Sequence, residues 1–159
     1  MELPSQLLEH EHREIDDGLA EFREGLESGS WNRRAFASAA GELRDHIYVE
    51  EVVLFPWLRQ GGLVAPIMVM LREHGEIWRA LDELEQLIDS AQDVEAAKAA
   101  YDRLVGVIEV HNSKEEAILY RATDQVLDGE QAETLRKALD NAAADRPADW
   151  VCQAVATGR

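Results

Sequence analysis

Cysteine is almost missing from this 159-residue chain: Cys152 stands alone, which excludes an internal disulfide and a thiolate metal cluster. Positive charge is scarce too. Sixteen Lys and Arg face thirty-two Asp and Glu, a formal charge of −16 at pH 7. A surface of that sign repels phosphate backbones and anionic headgroups, so neither nucleic acid nor a membrane is expected as a partner. Long apolar runs are absent as well; those around 52–58 and 63–71 fall far short of the roughly 18 residues a membrane span needs. Nor do the first twelve residues pair a basic stretch with an apolar one, so no signal peptide is expected, and the expected location is the cytoplasm. The length fits a single domain with one sizeable core.

What is present is helical patterning. The clearest breaks are Gly29, Gly61-Gly62 with Pro66, and Gly129, and between them apolar residues recur at steps of three and four. The pattern predicts helices from about Ser5, as N-cap, to Glu27; from Trp31 or Asn32 to Arg59, with a kink or early end at Pro56; from Ala65 to Ser90; and from Val94, capped by Asp93, to about Gln125, closed by Asp128-Gly129. Short connections imply antiparallel neighbours, hence an all-α, up-down-up-down four-helix bundle over residues 1–127. Residues 128–159 are expected to pack on the same domain as a fifth, shorter helix (Glu130–Ala143) and a tail in which Trp150 and Val151 dock.

The strongest signal is an internal echo. His46-Ile-Tyr-Val-Glu50-Glu51-Val-Val-Leu54-Phe55 returns as His111-Asn-Ser-Lys-Glu115-Glu116-Ala-Ile-Leu119-Tyr120. A spacing of four sets His and the first Glu one turn apart on one helix face, where an imidazole nitrogen and a carboxylate oxygen can converge. The second Glu of each doublet is rotated about 100° further and reads as flanking or solvated. Stepping at helical intervals from His46 reaches Ala39, Leu43, Val49, Val53 and Leu54; from His111 it reaches Leu104, Val107, Ile108, Ile118 and Leu119. Both pairs therefore lie in apolar stripes. Burying an unpaired carboxylate there costs several kcal/mol, roughly, unless something compensates it. A bound cation does so.

Two further histidines share this character. His12 is flanked at helical spacing by Leu8, Ile15, Leu19, Phe22 and Leu26, and His74 by Ile67, Leu71, Ile77, Trp78 and Leu81. His10 has mostly charged neighbours and is expected to face solvent. The candidate donors thus form two half-sites in order, His12 with His46 and Glu50, then His74 with His111 and Glu115. Six donors are too many for a closed tetrahedral zinc site and too nitrogen-rich for calcium or magnesium. Two transition-metal ions fit, bridged by both glutamates and an oxo or hydroxo group, with one open position on each. Iron suits this mixture and is redox-active; manganese or zinc are substitutes. Tyr48, Trp78, Tyr101 and Tyr120 read as packing residues, Cys152 as a tail residue, and acidic runs such as Glu9–Asp17 as solvated helix faces.

The order His, His-x-x-x-Glu, His, His-x-x-x-Glu on four helices resembles the hemerythrin-like, or HHE cation-binding, domain family, from about Leu7 to Tyr120. Glu11-His12-x-x-Ile15, Leu54-Phe55-Pro56-x-Leu58 and Glu73-His74-x-x-Ile77 agree with it. The resemblance implies a non-heme di-iron centre held by His12, His46, Glu50, His74, His111 and Glu115. Oxygen-carrying members have a further histidine where Trp78 stands and an aspartate where Glu116 stands. Four His and two Glu resemble instead the ligand set of iron-sulfur cluster repair proteins. The expected function is binding of, or reaction with, dioxygen, peroxide or nitric oxide in a redox, oxidative-stress or sensing role. The alternative is an iron-sensing regulatory module whose stability follows metal occupancy and whose partner is another protein or a second copy of the chain.

Overall fold

A computed structural model describes residues 2–158; Met1 and Arg159, the outer ends of the expected bundle and tail, lie outside the described residues. Every regular element among the described residues is helical. Helix α1 (Pro4–Glu27) has proline at its first position, where the missing N–H removes no helical bond, and Gln6 Oε1 accepts the Leu3 N–H. Ser5, expected as the cap, instead bonds the Asp124 carboxylate through its N–H and hydroxyl, tying α1 to the end of the fourth long segment. Ser28-Gly29 stops the helix, with Gly29 at φ +80°, a left-handed conformation that a side chain would strain.

Helix α2 (Arg33–Val49), capped by Asn32, runs through a π-helical turn (Glu50–Leu54) into α3 (Phe55–Gln60). Pro56 does not end this segment. The turn ahead of it has already widened, so that Phe55 N–H reaches back five residues to the Glu50 carbonyl. Helix α4 (Val64–Ser90) follows, then α5 (Val94–Lys114), capped by Asp93 as the sequence predicts. A second π turn (Glu115–Leu119) leads into α6 (Tyr120–Val126), with Tyr120 N–H donating to Glu115 O. No proline follows this turn, so the widening does not depend on one. Asp128, expected only to close the fourth segment, caps α7 (Gly129–Asp145), and the short α8 (Gln153–Ala156) lies near the end.

Helices α1 and α2 pack together, as do α4 and α5; α1 also meets α5 and α6, and α2 meets α4. Helix α7 lies on α2 and α1, and α8 on α4. The tail docks differently from expectation. Trp150 packs edge-on against Tyr48 and Trp78, but Val151 is 36% exposed and Cys152 takes the buried place.

The apolar interior falls into two clusters. One holds Leu19, Phe22, Phe36, Leu81, Leu84 and Leu104, and the other Leu8, Leu54, Phe55, Leu58, Ile67 and Tyr120. Each long helix passes from one to the other across a histidine: Leu8 and Ile15 bracket His12, Leu43 and Val49 bracket His46, Leu71 and Ile77 bracket His74, Ile108 and Leu119 bracket His111. Burying each large apolar side chain contributes roughly 1.5–3 kcal/mol. Those contributions on both sides hold a charged layer in place that would not assemble by itself.

Candidate metal centre

The layer between the clusters contains His12, His46, Glu50, His74, His111 and Glu115, all buried. Each histidine turns Nε2 inward. The Nε2 atoms of His46 and His74 lie 3.5 and 3.3 Å from Glu50 Oε1, and those of His12 and His111 each lie 3.2 Å from Glu115 Oε1. Both glutamates thus stand between the two histidine pairs. Donor atoms of Glu50, His74, His111 and Glu115 fall within 4.8 Å of one another, as do those of His12, His46 and Glu115. His10, as expected, is on the surface, 2.9 Å from Glu14.

The outward Nδ1 atoms face a second ring of carboxylates, which the sequence reading missed. Glu11 bonds His46 at 2.8 Å, Glu73 bonds His111 at 3.0 Å, and Glu51 bonds His74 at 2.6 Å; Glu116 lies 3.6 Å from His12. Glu51 is therefore neither flanking nor solvated: its side chain is 4% exposed. Glu11 likewise departs from the solvated face assigned to its acidic run. The repeated doublets Glu11-His12 and Glu73-His74, and Glu50-Glu51 and Glu115-Glu116, carried the signal. Carboxylates on the outer nitrogen orient an imidazole and increase its basicity toward a metal.

Tyr120 is the other missed residue. Its hydroxyl lies 2.9 Å from Glu50 Oε2 and 3.2 Å from Glu115 Oε1, either of which can accept its proton. It is also 2.9 Å from His12 Nε2 and 3.0 Å from His46 Nε2. The π turn produces this placement: widening the helix at Glu115 brings the residue five positions on back over the same face. The equivalent Phe55 instead stacks on His74, with ring centres 5.6 Å apart. The widened turn also carries Ile118, read as part of the buried stripe, out to 52% exposure.

Electrostatics record the strain of a charged interior. Burial alone would depress His46 and His74, but Glu50 and Glu11 push His46 well above its ordinary range, and Glu50 with Glu51 raises His74 to about 10. Against its own burial, Glu115 is held well below the usual carboxylate range by His111 and His12. Burial, reinforced by Glu115 and Glu50, pushes Tyr120 well up. Hydrogen bonding in the layer is nevertheless incomplete. Among the described residues, His12 Nδ1, Glu50 Oε1, His74 Nε2 and Glu115 Oε2 are buried without a hydrogen-bond partner. Buried polar atoms that lack a hydrogen bond are costly even beside an opposite charge, and three of the four point into the layer. Their nitrogen and oxygen donor chemistry fits a transition-metal cation.

A family model, the hemerythrin HHE cation binding domain, matches residues 3–123. The chain belongs to this family. Within the hemerythrin HHE family, this member is similar to the iron-sulfur cluster repair protein DnrN of Neisseria gonorrhoeae, 38% identical over 71 residues. That match covers 43% of this chain and 45% of the relative's length. No solved structure matches. Among the described residues, no helix is long and apolar enough to cross a membrane.

Proposed function

We propose that this hemerythrin-family chain is a non-heme di-iron protein that binds or reacts with a small oxidant, dioxygen, peroxide or nitric oxide, in a redox or oxidative-stress role. The observation that carries the reading is the set of inward donors that converge without completing their hydrogen bonds in a layer closed on both sides by apolar residues. The name of the repair-protein relative adds support for a stress role. The alternation of the four long segments between the two clusters likewise supports an up-down-up-down bundle.

In this reading His12, His46, His74 and His111, whose Nε2 atoms face inward, and Glu50 and Glu115, each between both histidine pairs, would hold the iron. Iron bound there would supply one-electron redox chemistry and exchangeable positions for a small ligand. The residues around it do the rest. Glu11, Glu51 and Glu73 orient the imidazoles of His46, His74 and His111; the Tyr120 hydroxyl offers a proton on the His12–His46 side; Phe55 and its cluster exclude water from His74.

The test is rapid mixing of ferrous-loaded protein with dioxygen, hydrogen peroxide or nitric oxide. Ligand-to-iron charge-transfer absorption in the near ultraviolet is the expected signal, and peroxide consumption is assayed beside it to separate turnover from sensing. The His46→Ala, His111→Ala double variant should lose iron and every signal. Absorption that survives this variant, or none in the parent protein, would overturn the proposal.

A further inference from the structure

The C-terminal segment reaches the candidate centre without contributing a donor to it. Arg146 Nε bonds Asp45, the neighbour of His46, at 2.7 Å, and Trp150 stands edge-on to Tyr48 and Trp78 with ring centres 5.1 and 5.6 Å away. The decisive contact is at the start of α8. Gln153 N–H donates to Glu51 Oε1 at 2.8 Å, while Glu51 Oε2 bonds His74 Nδ1 at 2.6 Å. Both oxygens of one buried carboxylate are committed, one to an inner-layer histidine and the other to the backbone of the tail.

A second observation places α8 there by design of the sequence. Gly75 follows His74 in the middle of α4, where glycine costs about 1 kcal/mol relative to alanine. A Cβ at this position would stand 2.7 Å from Ala154 Cβ, a distance that forces α4 and α8 apart. Glycine is therefore what allows α8 to lie against α4 one residue from His74. The pseudo-equivalent Glu116 carries no such link; it lies 3.6 Å from a His12 nitrogen that has no hydrogen-bond partner among the described residues.

We propose that docking of residues 146–156 and metal binding at the centre are thermodynamically linked through Glu51. The inference rests on the metal-binding reading above. A cation on Nε2 fixes the His74 ring, the ring fixes the Glu51 carboxylate, and the carboxylate holds the tail amide. Glu51 is a positioning residue in this scheme. Linkage is reciprocal, so whatever factor the docked tail adds to metal affinity, the metal adds to docking. Loss of metal then loosens the tail and uncovers Cys152, Trp150 and the face of α4 beneath α8, which carries the state of a buried centre to the surface.

The chain contains its own reporter, since Cys152 is fully buried and its thiol becomes accessible when the tail lifts. Alkylation of Cys152 by iodoacetamide is measured on the full chain, metal-free and loaded anaerobically with ferrous iron. Loading should slow the reaction about tenfold, within the range of roughly 5- to 150-fold typical of such couplings. Gln153→Pro deletes the single N–H at a first helical position, and Cys152 before it already has the extended backbone (φ −62°, ψ 155°) that a following proline requires. In that variant the metal effect should all but vanish, and iron affinity should fall by the factor the metal effect has lost. Gln153→Ala keeps the N–H and should leave both unchanged. Amide hydrogen exchange over residues 150–156 makes the same comparison without a label. Iron bound with equal alkylation rates in the two states, or a full metal effect retained in Gln153→Pro, refutes the linkage and leaves the metal reading standing. Failure to bind iron at all removes both.

Discussion

The two halves of the candidate centre share one plan and differ in what covers them. In each, a Glu-His doublet on one helix meets a His-x-x-x-Glu-Glu on the next, and a π turn begins at the inner glutamate. Two of the outer contacts stay within their half, Glu11 on His46 and Glu73 on His111; the other two cross over, Glu51 to His74 and Glu116 to His12. The aromatics cross as well, Phe55 onto His74 and the Tyr120 hydroxyl onto His12 and His46. The His74 side is consequently covered by an aromatic ring and latched to the tail. The His12 side presents a hydroxyl, and its outer carboxylate, Glu116, is 39% exposed. A duplicated scaffold thus produces two unlike faces by changing one aromatic and by closing one carboxylate contact more tightly than the other.

The largest effect should come from the outer carboxylates. Glu51→Gln should weaken iron binding about 10- to 100-fold, the usual consequence of losing a carboxylate behind a metal-bound histidine, and Glu116→Gln should weaken it much less. Competition titration against a chelator measures both. Equal losses would show that the two halves are held alike.

Tyr120→Phe should make the halves more nearly equal. In metal-free protein it strands the groups that bond the hydroxyl and should cost about 1–3 kcal/mol of unfolding free energy, read by urea denaturation. Phe55→Tyr, which adds a hydroxyl on the His74 side, should not restore the loss when combined with it. A neutral Tyr120→Phe would mean that the phenol ring only packs.

The smallest effect is on pH dependence, and its sign can be worked out. His74 titrates at about 10 in the folded chain against 6.5 without it, so its pairing with Glu50 and Glu51 stabilises metal-free protein fully below about 6.5. That contribution is lost as pH rises through about 10. Glu115 acts in the opposite sense: its contribution is present above 4.5 and is lost as pH falls below that value toward its depressed folded one. The melting temperature of metal-free protein should therefore be highest between these limits and decline in alkali. Metal binding, which requires deprotonated ligands, should strengthen over the same alkaline interval. The gap in melting temperature between loaded and metal-free protein should widen from pH 6.5 to 9, and a constant gap would contradict the assigned charges.

The helices were legible because glycine, proline and cap residues punctuate a pattern with period near 3.6. The burial of His12, His46, His74 and His111 followed from the same period. Its limits appear where the helix ceases to be regular. A fixed rotation of about 100° per residue placed Ile118 in the buried stripe, because a π turn leaves no mark in hydrophobic spacing, and it gave no sign that the Glu51 side chain is buried, since its contacts with His74 and the tail amide are long-range. Tyr120 was hidden for another reason: an aromatic in an apolar stripe looks like packing until its hydroxyl is located. In the tail, Val151 and Cys152 are adjacent and both apolar, so local pattern does not say which of them faces inward. The link from Gln153 to Glu51 depends on a backbone N–H and has no sequence signature.

The most direct measurement is the iron content of the full chain after anaerobic loading and removal of unbound metal. The account predicts about two irons per chain, with retention lost in the His46→Ala, His111→Ala double variant. Iron near zero in the parent protein, or undiminished in that variant, would contradict it.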